Sequence, residues 1–352
     1  MFRCIIHGRV LPLLLMSTAA CARLARPETV YLDKVVAPDP VAGAADAVMR
    51  QFAAEGFTGS VLIARGSRVL LSKGYGDANR ARELPNNAET KYPFGALTNM
   101  FTAAAILGLE SEGRLRLDQP VSDWVGAEAG TVTLRELLTR AREVSDQNGL
   151  VHPARYVPPS SAVERFRSTG WSYELLERVL GAVTGEPATA ALTSRLFLPA
   201  GLTRTVMDDG RLNDSLVARG YTGGLGETVV VTGLVGPLAD LWHWHQALRL
   251  GTLLPLAVRQ RMQTPTAQGY GMGWVVGRTD AGVRVIEHAS DQPGFQIWYG
   301  YFPDKDLLIL LAVNSDLGFR RPIAERLTTL LVETGVSSAA SIVTPNRTAG
   351  GG

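Results

Sequence analysis

The chain has 352 residues, 46% of them hydrophobic and 19% charged, enough length and apolar content for one large or two interlocked domains around a sizeable core. Its 35 basic and 33 acidic residues leave a formal charge of +2, a balance that argues against a nucleic-acid-binding surface. Nearly all the basic side chains are arginine; lysine stands only at Lys34, Lys73, Lys91 and Lys305.

Residues 1–22 read as an export leader. Arg3, His7 and Arg9 give a weakly basic start, Val10 to Met16 form a short apolar core, and Ser17-Thr18-Ala19-Ala20 are small. The run is too short to span a bilayer as a permanent helix. Two readings stay open: ordinary signal cleavage around Ala20-Cys21-Ala22, or a lipobox ending at Cys21, whose lipid would be the only membrane attachment. In either case Cys4 and Cys21 leave the mature domain without a thiol for a disulfide, a nucleophile or a thiolate metal site.

Residues 23–45 form a Pro- and Ala-rich linker, followed by helical spacing over 46–54. Thr58 to Arg65 and Arg68 to Gly74 are β-branched apolar runs about Gly66-Ser67, a hairpin. A polar loop over 80–93 leads into Phe94-Gly95-Ala96-Leu97-Thr98-Asn99. From Ala96 to about Glu112 runs a helix of small and apolar residues, the pattern of one buried between layers and stopped at Gly113. Thr133 caps a helix over Thr133 to Leu138.

After an irregular stretch over 141–161, helical spacing returns at Tyr173 to Thr184 and Ala188 to Phe197, separated by Gly185-Glu186-Pro187, and again at Leu238 to Leu250. Val283 to Glu287, Gly294 to Phe302 and Leu307 to Asn314 are predicted strands, with a turn at Pro303-Asp304-Lys305-Asp306, and Phe319 to Glu333 is a last helix. Strands at both ends with helices between predict an α/β (α+β) fold. One antiparallel sheet is formed by the N- and C-terminal segments, flanked by helices, and holds an inserted, mostly helical region. The folded domain is expected over 46–335 and a disordered Ser-, Ala- and Gly-rich tail over 336–352.

In order, Gly56-Phe57-Thr58-Gly59-Ser60-Val61, Gly74-Tyr75-Gly76-Asp77-Ala78, Glu112 to Val121, Leu198-Pro199-Ala200-Gly201-Leu202, Arg219-Gly220-Tyr221, Tyr270-Gly271-Met272-Gly273-Trp274 and Pro293-Gly294-Phe295 resemble segments of the serine β-lactamase and penicillin-binding-protein superfamily, class C enzymes and their esterase and peptidase relatives in particular. Its members open the central helix with Ser-x-x-Lys, a nucleophile and a proton-accepting amine one turn apart. Here those positions hold Ala96 and Asn99. No lysine in the chain has a serine three residues before it; those places hold Tyr31, Leu70, Ala88 and Phe302.

The family's Tyr-x-Asn motif falls on Ser168 and Gly170, or in another register on Phe166 and Ser168, and lacks the phenol either way. Its Lys/His-x-Gly motif appears as His288-Ala289-Ser290, which keeps a cation-capable residue but replaces the glycine that lets substrate backbone approach. Arg140, Ala141, Arg142 and Glu143 replace a Thr/Ser-rich rim, and Arg140 and Arg142 are candidates for holding an anion. The resemblance also implies an oxyanion hole from the backbone amides of Ala96 and Asp291, with the Asp291 carboxylate disfavouring an anion there.

The degenerate positions Ala96, Asn99, Ser168, Gly170, His288 and Ser290 thus imply a family homologue without acyl-enzyme chemistry that keeps a cleft for a small-molecule or peptide-like ligand, or for an envelope protein partner. Alternatives are an active esterase-, peptidase- or acyltransferase-like enzyme with a rearranged site, and a structural envelope lipoprotein. A Ser290–His288 pair on one strand face is a possible substitute nucleophile and base. Trp242-His243-Trp244-His245 reads as a packed helix with surface histidines, not a metal site, because residues two apart on a helix diverge. Neither a cofactor nor a metal is implied.

Overall fold

The computed structural model describes residues 35–127, 130–140, 170–223, 226–227, 233–266 and 269–333. A short strand β1 (Val35–Val36) precedes helix α1 (Pro40–Ala54), and the hairpin β2 (Gly59–Arg65) and β3 (Arg68–Tyr75) follows. Helix α1 starts six residues before the expected position, inside the supposed linker. The Asp39 side chain accepts the Val41 N–H at 2.9 Å and Pro40 supplies a fixed φ in the first turn, so capping overrides the low polarity contrast of the Ala-rich run.

Downstream come β4 (Lys91–Pro93), a 3₁₀ turn at Gly95–Leu97, α2 (Thr98–Ser111), α3 (Leu134–Leu138), α4 (Gly170–Thr184) and α5 (Ala188–Leu192). Next are β5 (Val206–Asp208), β6 (Gly233–Pro237), α6 (Leu238–Leu250) and α7 (Leu256–Met262). The chain closes with β7 (Val275–Arg278), β8 (Arg284–Gln292), β9 (Phe295–Phe302), β10 (Leu307–Val313) and α8 (Arg320–Thr328), which runs on through a π turn over Thr329–Glu333.

Seven strands form one antiparallel sheet in the order β1-β3-β2-β10-β9-β8-β7. The predicted closure of the sheet by the two chain ends is the β2–β10 pairing, with Gly59 opposite Val313 and Arg65 opposite Leu307. One sheet face packs against α1 and α8 through Val61, Ile63, Leu71, Ile309 and Leu311. The other carries Leu62, Ala64, Ile297, Tyr299, Leu308 and Leu310 into the core that surrounds α2. The alternation of the two sets along each strand is the period-2 geometry of β structure.

Helix α2 is apolar on all sides because it is surrounded: Met100, Phe101, Ala103, Ala104, Ile106 and Leu107 are fully buried. Phe101 meets Phe197 and Trp244 edge-on, with ring centroids 5.1 and 4.8 Å apart. Each such large apolar side chain contributes about 1.5–3 kcal/mol by leaving water. The predicted Thr133 cap is present as a reciprocal capping box with Glu136. Gly273, at φ +79, lies against the start of α2; a Cβ there would stand 2.9 Å from both the Ala103 Cβ and the Asn99 carbonyl oxygen, so only glycine lets the segment approach the helix.

Candidate functional site

The register of the sheet creates the cleft. Strand β7 pairs with β8 only as far as Val275 opposite Glu287, whereas β8 continues to Gln292 with β9 on its other side. The uncovered stretch His288–Gln292 runs past the turn that starts α2. Gly95, Ala96, Asn99, Arg140, Tyr173 and His288 are among the residues lining a cavity of 780 Å³ there.

Ala96 presents a methyl group to this cavity. Its backbone N–H donates to the Ser290 hydroxyl at 3.0 Å, so the amide expected to open one side of an oxyanion hole already has an oxygen on it. Gly95 has φ +49, and a Cβ there would collide with the Ser290 Oγ and the Gln292 side chain. The serine at 290 and the glycine at 95 are therefore complementary in shape. Asn99 is buried on the same edge of α2.

His288 and Ser290 share the cleft-side face of β8, opposite Tyr299 and Ile297 of β9, as the alternation predicts. They do not form a nucleophile–base pair. The His288 Nδ1 lies 3.1 Å from the Ala289 carbonyl oxygen, while the Ser290 Oγ is engaged by Ala96. His288 is 5% exposed, and burial, helped by the Arg140 guanidinium and opposed by the Ala289 carbonyl, brings its pKa down to about 3. The expected cation at this position is thus a neutral imidazole.

Asp291 also differs from expectation. Arg320 grips its carboxylate with two N–H donors at 3.0 Å each, and the Gln296 amide adds a third at 3.2 Å, on the α8 side of the sheet. One residue's step along β8 turns this carboxylate away from the cleft and neutralises it, so it does not repel an anion at Ala96.

Arg140, in a left-handed conformation at φ +50, lies over two aromatic rings, 4.7 Å from the centroid of Tyr270 and 5.5 Å from that of Tyr173. The Tyr173 hydroxyl donates to the Leu138 carbonyl at 3.0 Å, tying α4 to the end of α3. Glu177, one turn further along α4, receives the Thr102 hydroxyl at 3.4 Å; burial raises its pKa and the nearby Glu174 adds to the rise. Tyr173, Glu177 and Tyr270 were not singled out from sequence as cleft residues. The i, i+4 spacing of Tyr173 and Glu177 at the start of a predicted helix was the available signal.

Gly170 begins α4. Ser168, Phe166, Arg142 and Cys21 lie outside the described residues, so the second motif has no geometry here. His245 is buried, not on the surface: its Nδ1 is 2.6 Å from the Tyr299 hydroxyl, and desolvation, together with Arg249 and Arg259, lowers its pKa to about 3. Among the described residues no cluster of three or more His, Cys, Asp or Glu side chains is arranged to hold a metal ion, and no helix is long and apolar enough to cross a membrane.

A family model described as Beta-lactamase matches residues 45–333. A putative penicillin-binding protein, PbpX, of Bacillus subtilis (strain 168) is 27% identical over 282 residues, which cover 74% of this chain and 71% of the relative. Protein flp of Staphylococcus aureus (strain NCTC 8325 / PS 47) is 23% identical over 315 residues; the match covers 78% of this chain but only 62% of that relative's length. The octameric penicillin-binding protein homologue from Pyrococcus abyssi has a similar fold, with a TM-score of 0.71 at 23% identity over 84% of this chain and 78% of the other. The match runs from within α1 to the end of the C-terminal helical segment and takes in both walls of the cleft, and the chain belongs to the beta-lactamase family, within the superfamily of serine β-lactamases and penicillin-binding proteins.

Proposed function

We propose that this protein is a family member that binds a ligand in the cleft between α2 and β8 without forming an acyl-enzyme. The observation that carries the reading is the contact of the Ala96 N–H with the Ser290 hydroxyl: a methyl stands at the nucleophile position, and a protein oxygen occupies the donor that would stabilise the tetrahedral intermediate. Loss of a nucleophile alone lowers turnover by about a million-fold in a hydrolase whose oxyanion hole is intact. Here His288 is neutral and directed at its own neighbour's carbonyl, so it does not activate Ser290.

The proposal extends to location. The leader over residues 1–22 directs export, and the cleft then serves an envelope ligand or partner, with Cys21 as the lipidated residue if the lipobox reading holds. Globomycin-sensitive processing and radiolabelled palmitate at Cys21 distinguish anchoring from free secretion.

The test of the central claim is incubation of the purified protein with a fluorescent penicillin followed by denaturing electrophoresis and intact mass measurement. No adduct is expected. A covalent adduct mapped to a cleft residue, or turnover of a short-chain ester abolished by Ser290→Ala, overturns the proposal in favour of a rearranged hydrolase.

A further inference from the structure

Three residues on the cleft-side face of β8, His288, Ser290 and Gln292, and three around it, Arg140, Glu174 and Glu177, define the polarity of the site. The His288 Nδ1 faces a carbonyl oxygen, which only accepts, so Nδ1 carries the ring hydrogen and Nε2 keeps its lone pair. That Nε2 is buried and has no hydrogen-bond partner among the described residues, and His288 lines the cavity. Gln292, two residues beyond Ser290 on the same face, also lines the cavity, and its Oε1 is buried without a partner among the described residues. An unpaired buried acceptor costs about 1–3 kcal/mol, which a ligand donor recovers. Between the two, the Ser290 hydroxyl is committed to Ala96.

Side chains of both signs, Arg140, Glu174 and Glu177, line the cavity around these acceptors. Arg140 is close enough to His288 to lower its basicity and to oppose an ammonium group there. Glu174 and Glu177 on α4 also line the cavity, and in their ionised form they oppose a carboxylate.

We infer that the strand position at which this family carries a cation has become, in His288, a buried hydrogen-bond acceptor, and that the cleft selects neutral, elongated ligands bearing N–H donors, amides in particular, over carboxylates. A strand rises about 3.3 Å per residue, so His288 and Gln292, four residues apart on β8, stand about 13 Å apart; a small group serves only one of them, and an extended ligand is needed to serve both. A cavity of 780 Å³ accommodates a molecule of dipeptide size. Apolar contact comes from Leu192, Leu234 and Val275 on its walls. This inference rests on the reading of the cleft as a ligand site.

The experiment compares N-acetyl-leucinamide with N-acetyl-leucine, which differ only in the terminal group, by NMR titration of the full chain labelled with ¹⁵N-histidine. Before ligand is added, the long-range ¹H–¹⁵N spectrum is expected to show the His288 Nε2 as an unprotonated nitrogen that does not titrate between pH 5 and 8. The amide is expected to bind about tenfold more tightly than the acid and to shift that nitrogen. His288→Lys is expected to reverse the order, and His288→Phe to abolish the preference. A protonated Nε2, or equal or tighter binding of the acid by the wild-type chain, overturns this inference and leaves the ligand-site reading standing. Failure of both compounds to bind at millimolar concentration overturns the two together. The wild-type comparison and spectrum need no variant to fold.

Discussion

At the scale of single residues, the loss of the family's reacting groups is accompanied by local refitting. Ser290 does not simply replace a glycine; its hydroxyl accepts the Ala96 N–H, and Gly95 leaves the space that the hydroxyl needs. This predicts that restoring the nucleophile alone fails. Ala96→Ser puts a hydroxyl at the head of α2 but leaves Asn99, whose amide cannot take the proton, and leaves Ser290 on the oxyanion donor. Intact mass after overnight incubation with penicillin is expected to show no acylated species for Ala96→Ser. Stoichiometric acylation of that variant is the result that overturns the account, since it requires a base and an open amide that the geometry does not contain.

At the scale of elements, the strand and helix succession was readable because periodicity survives without chemistry. Leu238 to Leu250 and Leu307 to Val313 carry their burial pattern in the order of their side chains. The start of α1 was missed because Ala and Gly dilute its pattern while a single cap, Asp39, sets its end. Side-chain direction and charge state at the cleft were less legible. The resemblance gave His288 as a cation-capable residue and Asp291 as a carboxylate disfavouring an anion, but the strand turns them to opposite faces, burial keeps the imidazole neutral and Arg320 neutralises the carboxylate. Tyr270 and Tyr173 reach Arg140 from segments 97 positions apart, a meeting that no local pattern encodes.

The same alternation along β8 places Glu287 on the α8 side, buried, with the Trp298 indole N–H donating to its Oε2 at 2.9 Å. Burial pushes its pKa up to about 7, against the lowering effects of Trp298 and Arg320. The folded carboxyl thus keeps its proton up to about pH 7, while an unfolded glutamate releases it near 4.5. The folded state binds more protons in that interval, so this group's contribution is complete below pH 4.5 and declines as pH rises through 7. Glu287→Gln keeps an oxygen for Trp298 and removes the ionisation. Urea denaturation is expected to show the variant more stable than wild type by about 2 kcal/mol at pH 8 and within about 0.5 kcal/mol of it at pH 4.5. A variant equally destabilised at both values would assign Glu287 a purely steric role.

At the scale of the whole molecule, the pairing of β2 with β10 means that the first and last parts of the chain complete one sheet, and the helical insertion packs on its inner face. Asn314, immediately after β10 and fully buried, joins these parts. Its Oδ1 accepts from the Thr58 hydroxyl at 3.0 Å and from the Asn86 amide at 3.2 Å, and its Nδ2 donates to the carbonyls of Asp77 and Arg219 at 2.9 Å each. The start of the N-terminal hairpin, the loop after it and the segment that follows β5 therefore share one side chain from the C-terminal part. Replacing it strands several buried donors and acceptors at once, each costing about 1–3 kcal/mol where water does not reach it. Asn314→Ala is expected to lower unfolding free energy by about 3 kcal/mol with an unchanged denaturant slope, because the unfolded state and the area exposed are the same. Tryptophan fluorescence reports on both sides of the sheet, through Trp244 and Trp274 in the α2 core and Trp298 under α8. Its transition is expected to coincide with that of far-ultraviolet circular dichroism. Separation of the two curves would mean that the helical insertion unfolds independently of the sheet, and that Asn314 ties together only the strand ends.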